Sequence, residues 1–401
     1  MRAVFVHDHY FSTTKDGRCF SRGGLPYAVW EQYLKVFDEI HVIGRCLASD
    51  LEESPPGVES SGPGVTFGFI PNLSRLSSYF NSRLIAQELL KASIASSDAL
   101  IARTSQAAKL AVTIARELSI PYAVEVVGCA WDAYCNYGSL MGSAYAPIAY
   151  LQQKHMVQRA PYAIYVTDSF LQSRYPCNGI TMGVSDVRVA LADPSCLVSR
   201  QARLCVRGRK VVFGTIGSLA TKYKGIDTAL RALSNVRRRI PDFEYRILGS
   251  GDQSLWRRMA VCFGLEKNVV FSGTLPSGPA VHTWLDDIDI YLQPSLTEGL
   301  PRALLEAMSR GCPCLASSVG GIPELLGREC LHPPGDVRLL EGLIHMAVNS
   351  AQWRTHQAVR NHSHAGRYEA AILDAKRLEF WRSFAGFVRK RKPKTSAGSL
   401  S

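Results

Sequence analysis

Short apolar runs bounded by polar or turn-forming residues recur at residues 3–6, 40–43, 99–102, 123–127 and 163–166, and again at 211–215, 244–248, 269–271, 288–292 and 313–316. Runs of this length without strict alternation read as strands buried on both faces. Between them, at 24–37, 82–96, 107–118 and 226–239, apolar residues fall three and four apart, which predicts amphipathic helices. Strands alternating with helices point to βα units and parallel sheets, hence an α/β fold. The pattern forms two blocks separated by the strand-poor, arginine-rich stretch 190–209. The expected organisation is an N-terminal domain at 1–190, a C-terminal domain at 191–370, and a segment at 371–401 that packs back towards the N-terminal domain and ends in a basic flexible tail. After Asp336 only helical pattern remains, anchored by Trp353, Tyr368 and Trp381. The stretch 133–153 carries no charge, yet Asn136, Gly138 and Pro147 make it too polar and broken for a spanning helix of about 20 apolar residues, so it reads as loops and small helices.

Composition narrows the class. A chain of 401 residues with 46% hydrophobic and 20% charged residues can bury a sizeable core, which excludes a disordered, collagen-like or disulfide-stapled chain. Its 11 cysteines are scattered and odd in number with no C-x-x-C, so a zinc knuckle or thioredoxin-like site is excluded and reduced thiols in a cytoplasm are expected. The first apolar run stops at His7-Asp8, too short for a signal-peptide core, and reads as a strand. A net charge of +12 implies an acidic partner: nucleic acid, anionic lipid or a phosphorylated small molecule.

The most informative segment follows the apolar run 288–292. There Gln293-Pro294-Ser295-Leu296-Thr297-Glu298-Gly299-Leu300-Pro301-Arg302 leads into a helix carrying Glu306. Pro301 suits a helix start, which puts Glu298 on the strand-to-helix loop and Glu306 within the helix. Free amides at Gly299 and Leu300 with the helix dipole behind them form an anion site flanked by two carboxylates. Carboxylates accept from vicinal hydroxyls, and amides and lysine suit a diphosphate, so together they describe a pocket for a nucleotide sugar. Taken alone, two Glu eight apart are better read as a solvated loop residue and a surface helix residue.

The surroundings change that. A Gly-rich turn at Gly214-Thr215-Ile216-Gly217-Ser218 precedes Lys222-Tyr223-Lys224-Gly225, and Gly320-Gly321-Ile322-Pro323-Glu324 follows downstream. In order and spacing, residues 211–336 resemble the family 4 retaining glycosyltransferases of the group 1 type. The resemblance implies a GT-B fold, two doubly wound Rossmann-like domains facing across a cleft. It implies that Glu306 binds the donor ribose, that Glu298 faces the transferred sugar, that Lys224 neutralises the leaving diphosphate, and that Gly299 and Leu300 amides fix sugar and phosphates. A fixed cation at Lys224 makes chemical sense, because cleaving a glycosyl phosphate builds charge on the leaving group. The family commonly carries Arg after the Gly-rich turn, where this chain has Ser218; Lys222 is then the candidate second cation beside Gly217.

In the N-terminal half, Arg22-Gly23-Gly24 resembles the Gly-Gly turn of the first domain, with Gly23 and Gly24 allowing close approach of backbone to ligand. Glu125 and Asp132 border the Gly128 loop, where relatives place a catalytic-region His, and are candidates for acceptor activation or hydroxyl binding. His7, Asp8 and His9 offer no third obvious metal ligand, so no metal and no cofactor beyond the nucleoside-diphosphate-sugar donor is expected. The resulting expectation is a retaining glycosyltransferase that moves a sugar to a polysaccharide or lipid-linked oligosaccharide acceptor. It is expected in the cytoplasm, with the basic tail from Arg389 to Lys394 suited to peripheral contact with an anionic inner leaflet. An epimerase or phosphorylase on the same fold is the enzymatic alternative. A basic nucleic-acid binder is the non-enzymatic one, but no recognised module supports it, so nucleic acid is not expected as a partner.

Overall fold

Apolar runs too continuous for one exposed face end up as inner strands of two parallel sheets in the computed structural model, which describes residues 1–21, 24–47, 57–73, 79–136, 140–206 and 208–391. In chain order the first part comprises β1 (Arg2–Thr13), β2 (Cys19–Ser21), α1 (Tyr27–Leu34), β3 (Glu39–Cys46), β4 (Val58–Glu59), β5 (Val65–Phe69), α2 (Tyr79–Ala95) and β6 (Ala99–Arg103). It continues through α3 (Gln106–Glu117), β7 (Tyr122–Val126), α4 (Ala130–Asn136), α5 (Leu140–Gln158), β8 (Tyr162–Tyr165), α6 (Phe170–Arg174) and β9 (Ile180–Gly183). The parallel order is β5-β3-β1-β6-β7-β8-β9, with antiparallel β2 and β4 attached at the far end of β1.

The second part begins with α7 (Pro194–Cys205), β10 (Val211–Ile216), α8 (Ile226–Val236), β11 (Phe243–Leu248), α9 (Ser254–Cys262), β12 (Val269–Gly273) and α10 (Pro279–Asp286). Then come β13 (Ile290–Gln293), α11 (Arg302–Ser309), β14 (Cys314–Ser317), α12 (Ile322–Leu325) and β15 (Leu331–His332), and three closing helices, α13 (Val337–Asn349), α14 (Ala351–Ala365) and α15 (Ala370–Arg391). Its order, β12-β11-β10-β13-β14-β15, is parallel throughout and reverses direction between β10 and β13, where the carboxyl-end crevice of a doubly wound sheet lies.

Several helix starts carry their own side-chain caps. Ser105 accepts from the Ala108 amide at 3.1 Å, Asp336 from Leu339 at 2.9 Å and Ser350 from Trp353 at 3.1 Å. Arg200 on α7 ties this helix to the second sheet, donating to the carbonyls of Arg310, Leu285 and Ile288. The chain passes between the two parts twice, side by side: the Val189 amide donates to the Tyr368 carbonyl at 3.0 Å. Past that point α15 returns to the first part. Trp381 packs on Tyr33 at 5.1 Å between ring centroids, and Phe384 on Phe37 and Tyr162. These rings are fully or almost fully buried, each contributing roughly 2–3 kcal/mol of transfer free energy.

Three local expectations need correcting. The first strand continues through His7-Asp8-His9 to Thr13, with an irregular register against β3 between Val6 and Tyr10, so these residues lie within a strand. The uncharged stretch 133–153 contributes most of α5, a 19-residue helix with Pro147 inside it. Its Ala146, Ala149, Gln153, Met156 and Val157 form one buried face, and that packing outweighs the local cost of the proline. Strands β5 and β9 went unread because Gly68 and Thr181 interrupt short, partly exposed segments. Among the described residues no helix is long and apolar enough to cross a membrane, and all 11 cysteines are free thiols.

Candidate active site

Four loops leave the carboxyl ends of β10, β11, β13 and β14 and are tied together by backbone hydrogen bonds. Gly217 N donates to Leu248 O at 2.9 Å, Leu219 N to Ser250 O at 2.7 Å, Leu296 N to Tyr223 O at 2.7 Å and Gly321 N to Gly299 O at 2.6 Å. The glycines make this approach possible. Gly225 has φ of +67°, and a Cβ there would stand 1.9 Å from the Pro294 carbonyl oxygen; at Gly320, φ +58°, it would stand 2.1 Å from that of Glu298. At Gly217 a Cβ would press on the Lys224 side chain at 2.7 Å.

That crowding aims Lys224 at Glu298. Its Nζ donates to Glu298 Oε1 at 2.8 Å and lies 4.9 Å from the Tyr223 ring centroid. The same carboxylate oxygen accepts from Ser295 Oγ at 2.7 Å and Gln293 Nε2 at 2.9 Å, and Gln293 in turn accepts from the Tyr291 hydroxyl at 2.8 Å. Tyr291 also accepts from the Ile216 amide, so the network reaches back into β10. Three donors on one oxygen hold Glu298 rigidly, and the pair is largely enclosed, with side chains 14% and 9% exposed. Burial first, and then the fields of Cys314, Glu298 and Glu306, keep the Tyr291 phenol well above its usual value, opposed by the Ile216 amide.

Glu306 is different. It sits on α11, half-buried, and no hydrogen-bond partner reaches its carboxylate among the described residues. Burial raises its pKa above the usual carboxylate range, opposed by Arg302. A desolvated acceptor without donors is chemically suited to hydroxyls from a ligand. The amides of Gly299 and Leu300 likewise have no partner among the described residues. Lys222 is exposed and has no ion-pair partner among the described residues, and Ser218 Oγ accepts from the Ala220 amide at 3.3 Å.

The first part closes over these loops. A Cβ on Gly299 would come within 3.3 Å of Val127 O, and Gly321 lies against Thr167. Glu324, on α12, accepts from the amides of Asp168, Ser169 and Phe170 at 2.6, 3.0 and 2.7 Å and from Ser169 Oγ at 3.1 Å, capping α6 across the cleft.

The N-terminal candidates fall elsewhere. Gly23 lies outside the described residues, and Gly24 precedes α1 with φ of +90°. Glu125 is 2% exposed and accepts from Tyr33 at 2.6 Å and Arg103 at 3.2 Å, with Arg103 also paired to Asp186. A buried carboxylate held by two donors is placed as an internal counter-ion to Arg103. Asp132 is paired with Arg174, which also donates to Cys129 Sγ, and so ties α4 to α6. Asp8 accepts from the amides of Gln106 and Ala107 and pairs with Arg45, and among the described residues no cluster of three His, Cys, Asp or Glu is arranged for a metal. The sequence pattern assigns no role to Gln293, Ser295 or Glu324, which the structure places in the Glu298 network and the cross-cleft cap. The spacing of Gln293 and Ser295, two apart at a strand end, was the available sign that both point the same way.

Comparison with known proteins accords with this geometry. Residues 210–348 match the family described as glycosyl transferases group 1. Protein CapJ of Staphylococcus aureus is 33% identical over 390 residues, spanning 94% of this chain and 96% of that one. The amylovoran biosynthesis glycosyltransferase AmsK of Erwinia amylovora is 37% identical over 134 residues, 31% of this chain and 33% of its own. Among solved structures, Anabaena HepE in complex with UDP-glucose superposes with a TM-score of 0.63 at 16% identity, covering 96% of this chain and all of that one, a likeness of fold. With two parallel-sheet domains meeting at their carboxyl ends and a relative matched over nearly its whole length, the chain belongs to the group 1 glycosyltransferases and has the GT-B fold.

Proposed function

We propose that the protein is a retaining glycosyltransferase that moves a sugar from a nucleoside diphosphate sugar to a polysaccharide or lipid-linked oligosaccharide acceptor. The observation that carries this reading is Glu306: a half-buried carboxylate with raised pKa and no protein donor, in the helix that follows the loop of the Lys224–Glu298 pair. In this reading the donor ribose supplies hydroxyls to Glu306. The diphosphate lies over the free Gly299 and Leu300 amides and Lys224, with Lys222 as the second cation and Gly217 and Ser218 leaving room beside it. Glu298, held by Gln293 and Ser295, keeps Lys224 in place and presents its other oxygen to the transferred sugar.

The anomeric carbon–oxygen bond to the diphosphate breaks as the acceptor oxygen bonds to the same face. The acceptor proton passes to the departing phosphate oxygen. Lys224 stabilises the charge that develops there. The HepE structure is a complex with UDP-glucose and AmsK is an amylovoran biosynthesis glycosyltransferase, which supports a nucleotide-sugar donor and a glycan product. Because lysines and amides meet the phosphates in this reading, transfer should survive chelation by EDTA. Arg389, Lys390 and Arg391 at the end of α15 suit weak attraction to an anionic cytoplasmic leaflet. Vesicle co-sedimentation independent of anionic lipid would remove that part.

The test is nucleotide and nucleotide-sugar screening by thermal shift, followed by transfer assays and NMR of the product anomer. Glu306→Ala and Lys224→Ala should each lower transfer by at least tenfold in folded protein, with α-linked product from an α-linked donor. Undiminished transfer in both variants would discard the site, and an inverted product would discard retention.

A further inference from the structure

Tyr291, Gln293 and Ser295 alternate along β13 and just past its end, so their side chains leave one face of the strand. All three are 0% exposed. β13 lies between β10 and β14 in the middle of the second sheet, where hydrocarbon side chains pack without losing hydration. Polar side chains buried there need partners, and the pattern of their hydrogen bonds has a direction.

Each link runs one way only. The Ile216 amide can only donate, and it meets the Tyr291 hydroxyl oxygen at 3.2 Å. The single proton of the phenol then goes to Gln293 Oε1 at 2.8 Å. With its oxygen engaged, Gln293 turns its amino group to Ser295 Oγ at 2.8 Å and to Glu298 Oε1 at 2.9 Å. Ser295 accepts from Gln293, so its own proton goes to Glu298 Oε1 at 2.7 Å. A reversed amide would set the Gln293 oxygen against the Glu298 carboxylate with no proton between them, and would turn an amino group towards the Tyr291 proton. Burial above all raises the Tyr291 pKa well above the ordinary phenol value, so the proton that orients the amide is retained. Links that point the same way also polarise one another.

The chain joins two loops of the site. Ile216 closes β10 immediately before Gly217, the glycine against which the Lys224 side chain rests. At the other end Lys224, Ser295 and Gln293 all converge on Oε1 of Glu298, and among the described residues no donor reaches Oε2. Ser317 Oγ on β14 donates to the Ser295 carbonyl, which holds the last link from the neighbouring strand. One oxygen is thus committed to the protein and the other is left for a ligand.

We propose that Tyr291 and Gln293 are positioning residues of the reaction: the one-way chain from the Ile216 amide selects which oxygen of Glu298 holds Lys224 and which faces the ligand. The proposal rests on the glycosyltransferase reading above for the identity of that ligand. Neither residue touches substrate; both act through Glu298.

The test uses the full chain and needs no sugar transfer. The protein is acetylated with sulfo-N-hydroxysuccinimide acetate, and Lys224 is read against Lys222 in one peptide by mass spectrometry. Lys222 is exposed and serves as the internal reference, whereas Lys224 is held by Glu298 and should react at least tenfold more slowly. Tyr291→Phe and Gln293→Met should each raise the Lys224-to-Lys222 ratio at least fivefold, and the double variant should raise it no further, because both break one chain. Tyr245→Phe is the control. It removes another fully buried hydroxyl of the same sheet, one that donates to Thr215 Oγ1 at 2.9 Å outside the chain, and should leave the ratio unchanged. An unchanged ratio in both chain variants, an additive double variant, or an equal rise in Tyr245→Phe would overturn the proposal. Gln293→Met nearly conserves volume and carries the test should Tyr291→Phe fail to fold. UDP, GDP and ADP are then added in turn to the parent chain. Protection of Lys224 by none of them would remove the donor reading while the chain of hydrogen bonds stands.

Discussion

Glu324 bridges the cleft by capping α6 of the opposite domain, and its removal is the sharpest test of how the two halves are held together. In Glu324→Ala four donors lose their acceptor: the amides of residues 168, 169 and 170 and Ser169 Oγ. Hydrogen bonds to a charged acceptor contribute about 1.5–3 kcal/mol each when sheltered, but this site is largely open and released amides rehydrate, so about 0.5 kcal/mol each is more realistic. The sum is about 2 kcal/mol, a factor of about 30 in an equilibrium constant. Hydrogen exchange followed by mass spectrometry should then show peptides spanning 166–175 exchanging about 30-fold faster, with β1 and β7 unchanged and the radius of gyration from X-ray scattering increased. Glu324→Gln, which keeps one acceptor oxygen, should fall between. Unchanged protection in both variants would show that Glu324 does not hold the halves together, and faster exchange across the whole chain would show ordinary destabilisation instead.

Three further outcomes follow from particular residues. His7 is held neutral by burial and by the nearby Arg103, His9 and Arg45, with its pKa lowered to about 3 from 6.5. The unfolded ring takes a proton that the folded one refuses, so stability is lost as pH falls from 6.5 towards 3; His7→Gln should remove on the order of 2 kcal/mol of the difference between urea unfolding at pH 7 and pH 4. Gly225→Ala should cost more than about 3 kcal/mol in urea unfolding because backbone strain adds to a clash with Pro294 O, whereas Gly335→Ala, with positive φ and open space, should cost about 1–2 kcal/mol. Glu306 has a raised pKa, so the folded state binds its proton more readily than the unfolded state and the ionised form destabilises the fold at neutral pH; Glu306→Gln should raise the melting midpoint at pH 7 while abolishing any gain on adding nucleotide.

Most strands could be read from the sequence because a parallel strand covered on both faces needs an uninterrupted apolar run, as at Ala99–Arg103. The α5 helix could not, because Pro147 and the small polar residues before it suppress the local signal and its buried face is defined by neighbours far along the chain. The loop carrying Glu298 was legible because strand, loop and helix start are adjacent in sequence. Whether an acidic residue is reactive or structural was not. Glu125 and Asp132 look alike in the sequence, and only the arrival of Tyr33, Arg103 and Arg174 from other elements decides their role. Arg103 and Glu125 are register partners on β6 and β7, a pairing that strand alignment alone could have suggested. The Glu324 cap joins residues more than 150 apart and leaves no local trace.

The return of α15 to the first domain makes the order of synthesis matter. The rings of Tyr33, Phe37 and Tyr162 leave the ribosome long before Trp381 and Phe384, which cover them. At ordinary elongation rates of about 5–20 residues per second the interval is roughly 10–70 s. During that time the early half carries an open apolar seam that only the last helix can close. A message cut short before Ala370 would therefore yield an aggregation-prone first half rather than a smaller working protein. Conversely, a separately supplied 370–391 peptide should be able to dock on the exposed seam, so the closing step of folding can be watched as a binding reaction.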